Sequence, residues 1–232
     1  IIVTGSSQGI GYTIAKSFLS EGCNVVINAR NINKLKEVEI SFASEFNENK
    51  LLSIVGDATD DKFIDELIQR SIDKFKSIDC VVANVGSISL NPLPESTENW
   101  LDAFKGNFIG SAILAMKAVH YLKDSDDPNI IFISSIAGNE SIGAPVSYSS
   151  PKAAINYFSK ALASSEMGEK IRFNVVSPGN IKFPGGNWEK KYSDNPKYWD
   201  EYLKSNVPMK RFGTPQEIAN AVVFLASNRA SF

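Results

Sequence analysis

Apolar positions along this 232-residue chain follow two different periods. Six short apolar runs, rich in β-branched residues, occupy 1–3, 24–29, 51–57, 79–86, 129–135 and 171–179. Within them apolar residues follow one another rather than alternating with polar ones, as in strands covered by helices on both faces. The stretches between them place apolar residues three and four apart, which is helical spacing. Strand and helix therefore alternate, and the expected fold class is α/β: a doubly wound, Rossmann-like parallel sheet, a single domain over residues 1–232. Residues 180–212 break the alternation with Pro184, Gly185, Gly186, Pro196, Pro208 and seven aromatic side chains. They are read as a substrate lid within the domain, hinged at Gly185 and Gly186.

Open parallel sheets bind ligands beyond the carboxyl ends of their strands. At those ends stand Thr4-Gly5, Ala29-Arg30, Asp57, Asn84-Val85-Gly86, Ser134-Ser135 and Pro178-Gly179. The first belongs to TGSSQGIG, Thr4 to Gly11, which joins a strand to a helix expected from Tyr12 to Leu19. Glycines there permit positive φ and close approach of a ligand, and free N–H groups at a helix start favour an anion such as a pyrophosphate. By itself the loop leaves two readings open, a tight turn or a phosphate cradle, because its spacing is not the commoner G-x-G-x-x-G.

After the fifth run, Ser135 is followed by Tyr148 and Lys152 in YSSPK. A helix over residues 147–167 would put the phenol and the ammonium on one face, and a neighbouring cation would lower the phenol pKa from its usual value near ~10. Tyr148 would then serve as general acid/base. His120, the sole histidine, lies in a helical run without partners for a metal site or a nucleophilic triad. An isolated Tyr-x-x-x-Lys is also a common solvated helix face, so the pair gains weight only in company.

That company is present and in order, and over essentially its whole length the sequence resembles the short-chain dehydrogenase/reductase family, in particular its compact, 3-oxoacyl-acyl-carrier-protein reductase-like members. TGSSQGIG resembles the family's TGxxxGxG nucleotide loop, and Asn84-Val85-Gly86 its NAG motif with valine replacing alanine. The resemblance implies cofactor contacts at Gly5, Ser7, Gly9, Ile10, Gly11, Arg30, Asp57, Ala58, Asn84, Gly86, Tyr148, Lys152, Pro178, Gly179 and Ile181. It implies a catalytic set of Asn107, Ser135, Tyr148 and Lys152. In it Ser135 binds the substrate oxygen, Tyr148 exchanges its proton, Lys152 lowers the tyrosine pKa and holds the nicotinamide ribose, and Asn107 holds a relay water. The reaction so implied is hydride transfer between a nicotinamide and a carbonyl or secondary alcohol. One departure is Phe183, where many relatives carry a threonine that binds the carboxamide, so Ile181 is left to make that contact through its backbone.

The second run ends in Ala29-Arg30 rather than an acidic residue, which points to NADP(H) over NAD(H) because a guanidinium suits a ribose 2′-phosphate. An NAD(H)-dependent sugar, polyol or other alcohol dehydrogenase is the runner-up. A cofactor-binding sensor without turnover is a distant alternative, since fold alone does not establish activity. Residues 182–211 carry seven basic against four acidic side chains in a chain of net charge −2, which leaves two readings open: an anionic substrate, such as a 3-oxoacyl thioester on an acidic carrier or a nucleotide-linked sugar, or solvated lysines on two short surface helices whose aromatics only pack on the body.

The same net charge argues against a nucleic-acid partner, and no apolar run is long enough to span a bilayer. No metal site is expected, and Cys23 and Cys80 read as small core residues. Without a basic-then-apolar leader, a cytoplasmic location is expected. The chain opens inside a strand without Met and stops at Asn228–Phe232, so a few further residues are expected at each end. A homo-oligomer, a dimer or homotetramer formed through helices near 100–122 and 147–167, follows from the resemblance, with Gly110, Ser111, Ala112, Ala153, Ala154 and Ala161 permitting close helix approach.

Overall fold

The computed structural model describes residues 1–86 and 96–231; Phe232, the last residue of the expected 1–232 unit, lies outside them. Its centre is a six-stranded sheet in which every neighbouring pair is parallel, in the order β3-β2-β1-β4-β5-β6. The strands are β1 (Ile2–Val3), β2 (Val25–Ala29), β3 (Leu51–Val55), β4 (Cys80–Ala83), β5 (Asn129–Ile133) and β6 (Arg172–Val176). Strands β3 to β6 end before their apolar runs do, because the last residues of those runs leave the ladder to form the loops at the carboxyl edge.

Alternate strand residues face opposite sides, and each side has its own core. Val3, Val25, Ile27, Val82 and Ile131 pack against α1 (Gly9–Ser20), α2 (Ile32–Glu45) and α9 (Pro215–Ala226). Ile2, Val26, Ile54, Val81, Ile130 and Phe132 pack against α3 (Asp61–Phe75), α5 (Gly110–Leu122) and α6 (Val146–Ala163). Full burial of such side chains is worth about 1.5–3 kcal/mol each, more than helix propensity supplies per residue. Covered faces thus explain why the strands read as continuous apolar runs. Helix α5 is continuous with α4 (Thr97–Phe104) through a π turn at Lys105–Ile109. Segment 180–212 holds two short helices, α7 (Asn187–Asp194) and α8 (Pro196–Asn206), between ends joined by a bridge of Ile181 to Gly213.

One polar cluster is built into the sheet where β2 leaves it. Asn28 is buried and donates from Nδ2 to the carbonyls of Ile54 (3.0 Å) and Gly56 (3.1 Å). Its N–H donates to Ser6 Oγ at 2.8 Å, and Ser6 Oγ donates to Val3 O at 2.9 Å. These bonds tie the glycine loop to the ends of β2 and β3. Replacing Asn28 by Ala leaves two carbonyls without that donor, and a loss of about 2 kcal/mol is expected in urea unfolding, on the scale of stranded buried polar groups. A midpoint unchanged from wild type would refute this role.

Candidate active site

Two cavities open side by side at the carboxyl edge. The first, about 320 Å³, is lined by Gly5, Ser7 and Gly11 of the loop, Arg30 after β2, and Asp57 and Ala58 after β3. The second, about 410 Å³, is lined by Ser135, Tyr148, Lys152, Pro178, Gly179 and Ile181, with Asn187 and Trp188 of α7. Gln8, Ile10, Asn84, Gly86 and Phe183 line both. Of the residues expected to contact a cofactor, Gly9 alone lines neither cavity. It lies under the Phe183 ring, whose Cζ would stand 2.5 Å from a Cβ built at Gly9.

Helix α1 begins at Gly9, three residues before the expected Tyr12, so Gly9, Ile10 and Gly11 form its first turn. Gln8 at the N-cap makes no side-chain bond to that turn, which leaves the capping to other groups. Gly5 and Gly9 have φ of +65° and +58°, conformations that glycine alone adopts readily. At Gly11 a Cβ would lie 2.3 Å from Gly5 O and 2.5 Å from Asn84 Nδ2. Asn84 holds the loop in place: Nδ2 donates to Thr4 O (2.9 Å) and Gly5 O (3.2 Å), and its N–H donates to Thr4 Oγ1 (3.1 Å). The residues present suit a dinucleotide, because glycines line the crevice, the first turn of α1 faces it, and polar groups stand at both ends.

At the first end, Asp57 Oδ1 accepts from Thr59 N and Thr59 Oγ1, both at 2.9 Å, which leaves Oδ2 toward Arg30 Nη1 at 3.9 Å. That ion pair is loose, since the Arg30 side chain is 76% exposed.

At the second end, β5 delivers Ser134 and Ser135 against α6. Ser134 Oγ donates to Lys152 O at 3.0 Å, tying strand to helix. Gly138 follows in a short turn that lies so close to α6 that a Cβ there would meet the Lys152 carbonyl carbon at 2.7 Å. The Ser135 and Tyr148 hydroxyls hydrogen-bond to each other, and Ser135 Oγ also accepts from Ala137 N at 3.2 Å. Lys152 is 3% exposed; its Nζ donates to Ile133 O at 2.9 Å and lies 5.9 Å from the centre of the Tyr148 ring. Asn107, in the π turn, is buried behind Gly86: a Cβ at Gly86 would lie 3.0 Å from Lys152 Nζ and 3.2 Å from Asn107 Oδ1. All four expected catalytic residues thus converge, although Asn107 does not line the cavity.

The electrostatics differ from the sequence expectation. Burial pushes the Tyr148 phenol up, opposed only by its bond to Ser135, and burial pushes Lys152 down to about 8. Loss of water disfavours both charged forms here and outweighs the expected pull of the ammonium on the phenol. At neutral pH the site therefore offers a protonated phenol beside a second hydroxyl, with a cation behind them. Such a pair can hold a carbonyl oxygen and give it a proton.

In segment 180–212 the aromatic side chains pack on one another. Trp188 packs against Trp199, Phe212 and Tyr202, with ring centres 5.2, 5.7 and 6.4 Å away. Lys191 sits 4.8 Å from the Trp188 ring centre, Lys182 sits 4.3 Å from that of Tyr192, and Arg211 pairs with Glu217. Three of the seven lid cations are thus engaged within the protein. The sequence analysis missed Gln8 as a lining residue; its position inside the glycine loop was the available signal. It also missed the Ile133 carbonyl, for which a sequence carries none. Cys80 is buried and its thiol is pushed up to about 12, consistent with a core role. Among the described residues no helix is long and apolar enough to cross a membrane, and no three His, Cys, Asp or Glu side chains cluster to hold a metal ion.

Comparison with known proteins agrees with this geometry. A family model described as enoyl-(acyl carrier protein) reductase matches residues 5–232. Isoepoxydon dehydrogenase of Aspergillus clavatus is 33% identical over 236 residues, covering 100% of this chain and 89% of that protein. The 3-oxoacyl-[acyl-carrier-protein] reductase of Chlamydia muridarum is 35% identical over 233 residues, covering 100% of this chain and 91% of that protein. The structure of L-sorbose reductase from Gluconobacter frateurii, complexed with NADPH and L-sorbose, superposes with a TM-score of 0.91 at 30% identity over 99% of this chain and 90% of that one. With its parallel sheet, glycine loop and Ser-Tyr-Lys cluster in one crevice, the chain belongs to the short-chain dehydrogenase/reductase family and is an oxidoreductase.

Proposed function

We propose that the protein is an NADP(H)-dependent oxidoreductase that interconverts a carbonyl and a secondary alcohol, with Tyr148 as general acid/base. The observation that carries this reading is the meeting of Ser135, Tyr148 and Lys152 at one end of a crevice whose other end is the glycine loop. The nicotinamide cofactor, when bound, supplies or accepts the hydride. Ser135 and Tyr148 hold the substrate oxygen between two hydroxyls, and Tyr148 gives that oxygen its proton in reduction or takes it in oxidation. Lys152, fixed by the Ile133 carbonyl, would hold the nicotinamide ribose and keep a cation beside the phenol. Asn107, tied to Ala103 O at 3.0 Å, lies close behind and would position a water that returns the proton to solvent.

Arg30 at the cavity mouth and Ala29, which lines the same cavity where an acidic residue would bind a 2′-hydroxyl, support NADP(H) over NAD(H). Phe183 offers no hydroxyl to a carboxamide, which supports a backbone contact at Ile181 instead. Among substrates the lid favours a small, neutral hydroxylated carbonyl compound or sugar over a carrier-bound thioester. The cations that would attract an anion at Lys182, Lys191 and Arg211 are held on rings and on Glu217, while Trp188 and Asn187 give the cavity an apolar face beside a polar group. Exposed Leu101, Met116 and Tyr157 on α4, α5 and α6 support assembly through those helices.

Tyr148→Phe is expected to bind NADPH normally while turnover falls at least about 100-fold, the scale of positioned acid/base chemistry; a variant keeping a third of wild-type kcat would overturn the assignment. The buried Lys152 gives a pH test. Its folded pKa is depressed, so the ammonium is lost as pH rises through about 8 rather than at the usual lysine value. If the ammonium holds the cofactor, the NADPH Kd should rise about tenfold from roughly pH 7 to 9, and Lys152→Gln should flatten that dependence. A third outcome concerns the lid: KM for the best carbonyl substrate should change by less than about twofold between roughly 50 and 300 mM salt. A steep rise with salt would restore the anionic substrate.

A further inference from the structure

We propose that Lys34 is a second cation of the nucleotide site, gripping the 2′-phosphate of NADP(H) together with Arg30; the inference rests on the NADP(H) reading above. Strand β2 passes into α2 with only Arg30 and Asn31 between them, and Asn31 Oδ1 caps the helix by accepting from Lys34 N at 3.0 Å. This tight entry keeps Lys34 at the carboxyl edge of the sheet. Its side chain turns back toward the glycine loop, where Nζ donates to Gln8 Oε1 at 3.2 Å. Gln8 lines the cavity that also holds Arg30; Lys34 does not line it, and its ammonium is joined to that lining through Gln8.

Charge gives the arrangement a purpose. The cavity mouth holds Arg30 and Asp57, which are 3.9 Å apart and cancel in formal charge. A phosphate monoester carries nearly two negative charges at neutral pH, and this pair alone offers it no net attraction. Among the described residues Lys34 forms no ion pair, so its charge is uncompensated and makes the mouth net positive. Gln8 is neutral and cannot attract the phosphate itself, but its carbonyl oxygen holds the lysine that can. The glycine loop thus acquires its cation from the neighbouring helix instead of from its own sequence. Because a 2′-hydroxyl presents no charge to Lys34, the residue acts on the choice between the two cofactors and not on the reaction. It is a specificity determinant, and Gln8 is its positioning residue.

Equilibrium binding of 2′,5′-ADP and of 5′-ADP, measured by calorimetry, isolates this end of the site without turnover. Wild type should bind 2′,5′-ADP the more tightly. Lys34→Ala, an exposed position whose unfolding midpoint should match wild type, should weaken 2′,5′-ADP about tenfold, as expected for one cation near a phosphate, and leave 5′-ADP within about twofold. Adding Gln8→Arg to Lys34→Ala, which puts the cation into the loop itself, should restore 2′,5′-ADP binding to within about threefold of wild type. If Lys34→Ala keeps the full preference for 2′,5′-ADP, or weakens both ligands equally, the role of Lys34 is overturned while the NADP(H) reading stands. If wild type itself binds the two ligands equally, the NADP(H) reading falls, and the inference with it.

Discussion

The site depends on how Asn84 spans the point where the sheet reverses its winding. Strands β2 and β3 lie on one side of β1, and β4, β5 and β6 on the other, so the loops after β1 and β4 diverge and leave a crevice between them. A crevice of exposed backbone would collapse or fill with water unless its walls were pinned. The Asn84 side chain does this by donating to the carbonyls of Thr4 and Gly5, while Thr4 Oγ1 accepts the N–H of Asn84. Gly11 must then lack a side chain, because a Cβ would strike both Gly5 O and Asn84 Nδ2. The glycine loop is therefore shaped as much by its neighbour strand as by any ligand it receives.

A second constraint acts at the far end of the crevice. An ammonium buried to 3% exposure is costly unless something compensates it. Among the described residues the groups offered to it are the Ile133 carbonyl, at 2.9 Å, and the face of the Tyr148 ring, 5.9 Å from Nζ. The consequence is a lysine whose pKa falls to about 8, close to the working range of an enzyme at neutral pH. Burial acts in the opposite direction on Tyr148, favouring the neutral phenol. The pair is poised with its proton on the tyrosine, and the same desolvation sets both halves of that state.

The lid illustrates how tertiary contacts reassign charge. An excess of lysine on a segment over a pocket reads as a lure for anions. Yet Lys182 and Lys191 stand over aromatic rings, where a cation is attracted by the ring quadrupole, and Arg211 forks onto Glu217, which also caps α9. These contacts join α7, α8 and the start of α9 around Trp188, so the residues that looked like recognition elements are in part the packing of the lid itself.

Much of this protein is legible in its sequence because the physics concerned is local or periodic. Continuous apolar runs separated by helical spacing dictate a parallel sheet covered on both faces. Residues that end those runs must lie on one edge, and a Tyr and a Lys four apart share a helix face. Those rules suffice for the fold and for the gathering of Ser135, Tyr148, Lys152 and the glycine loop. Quantities that depend on what comes near from elsewhere in the chain were not legible. The sign of the Tyr148 shift turned on desolvation by the fold, which no i,i+4 spacing reports. The engagement of the lid lysines turned on rings up to about thirty residues away, and the Lys34 contact with Gln8 on the packing of two elements that adjoin only in space. Periodicity places side chains on faces; only the assembled interior decides how much water they keep and which charges they meet.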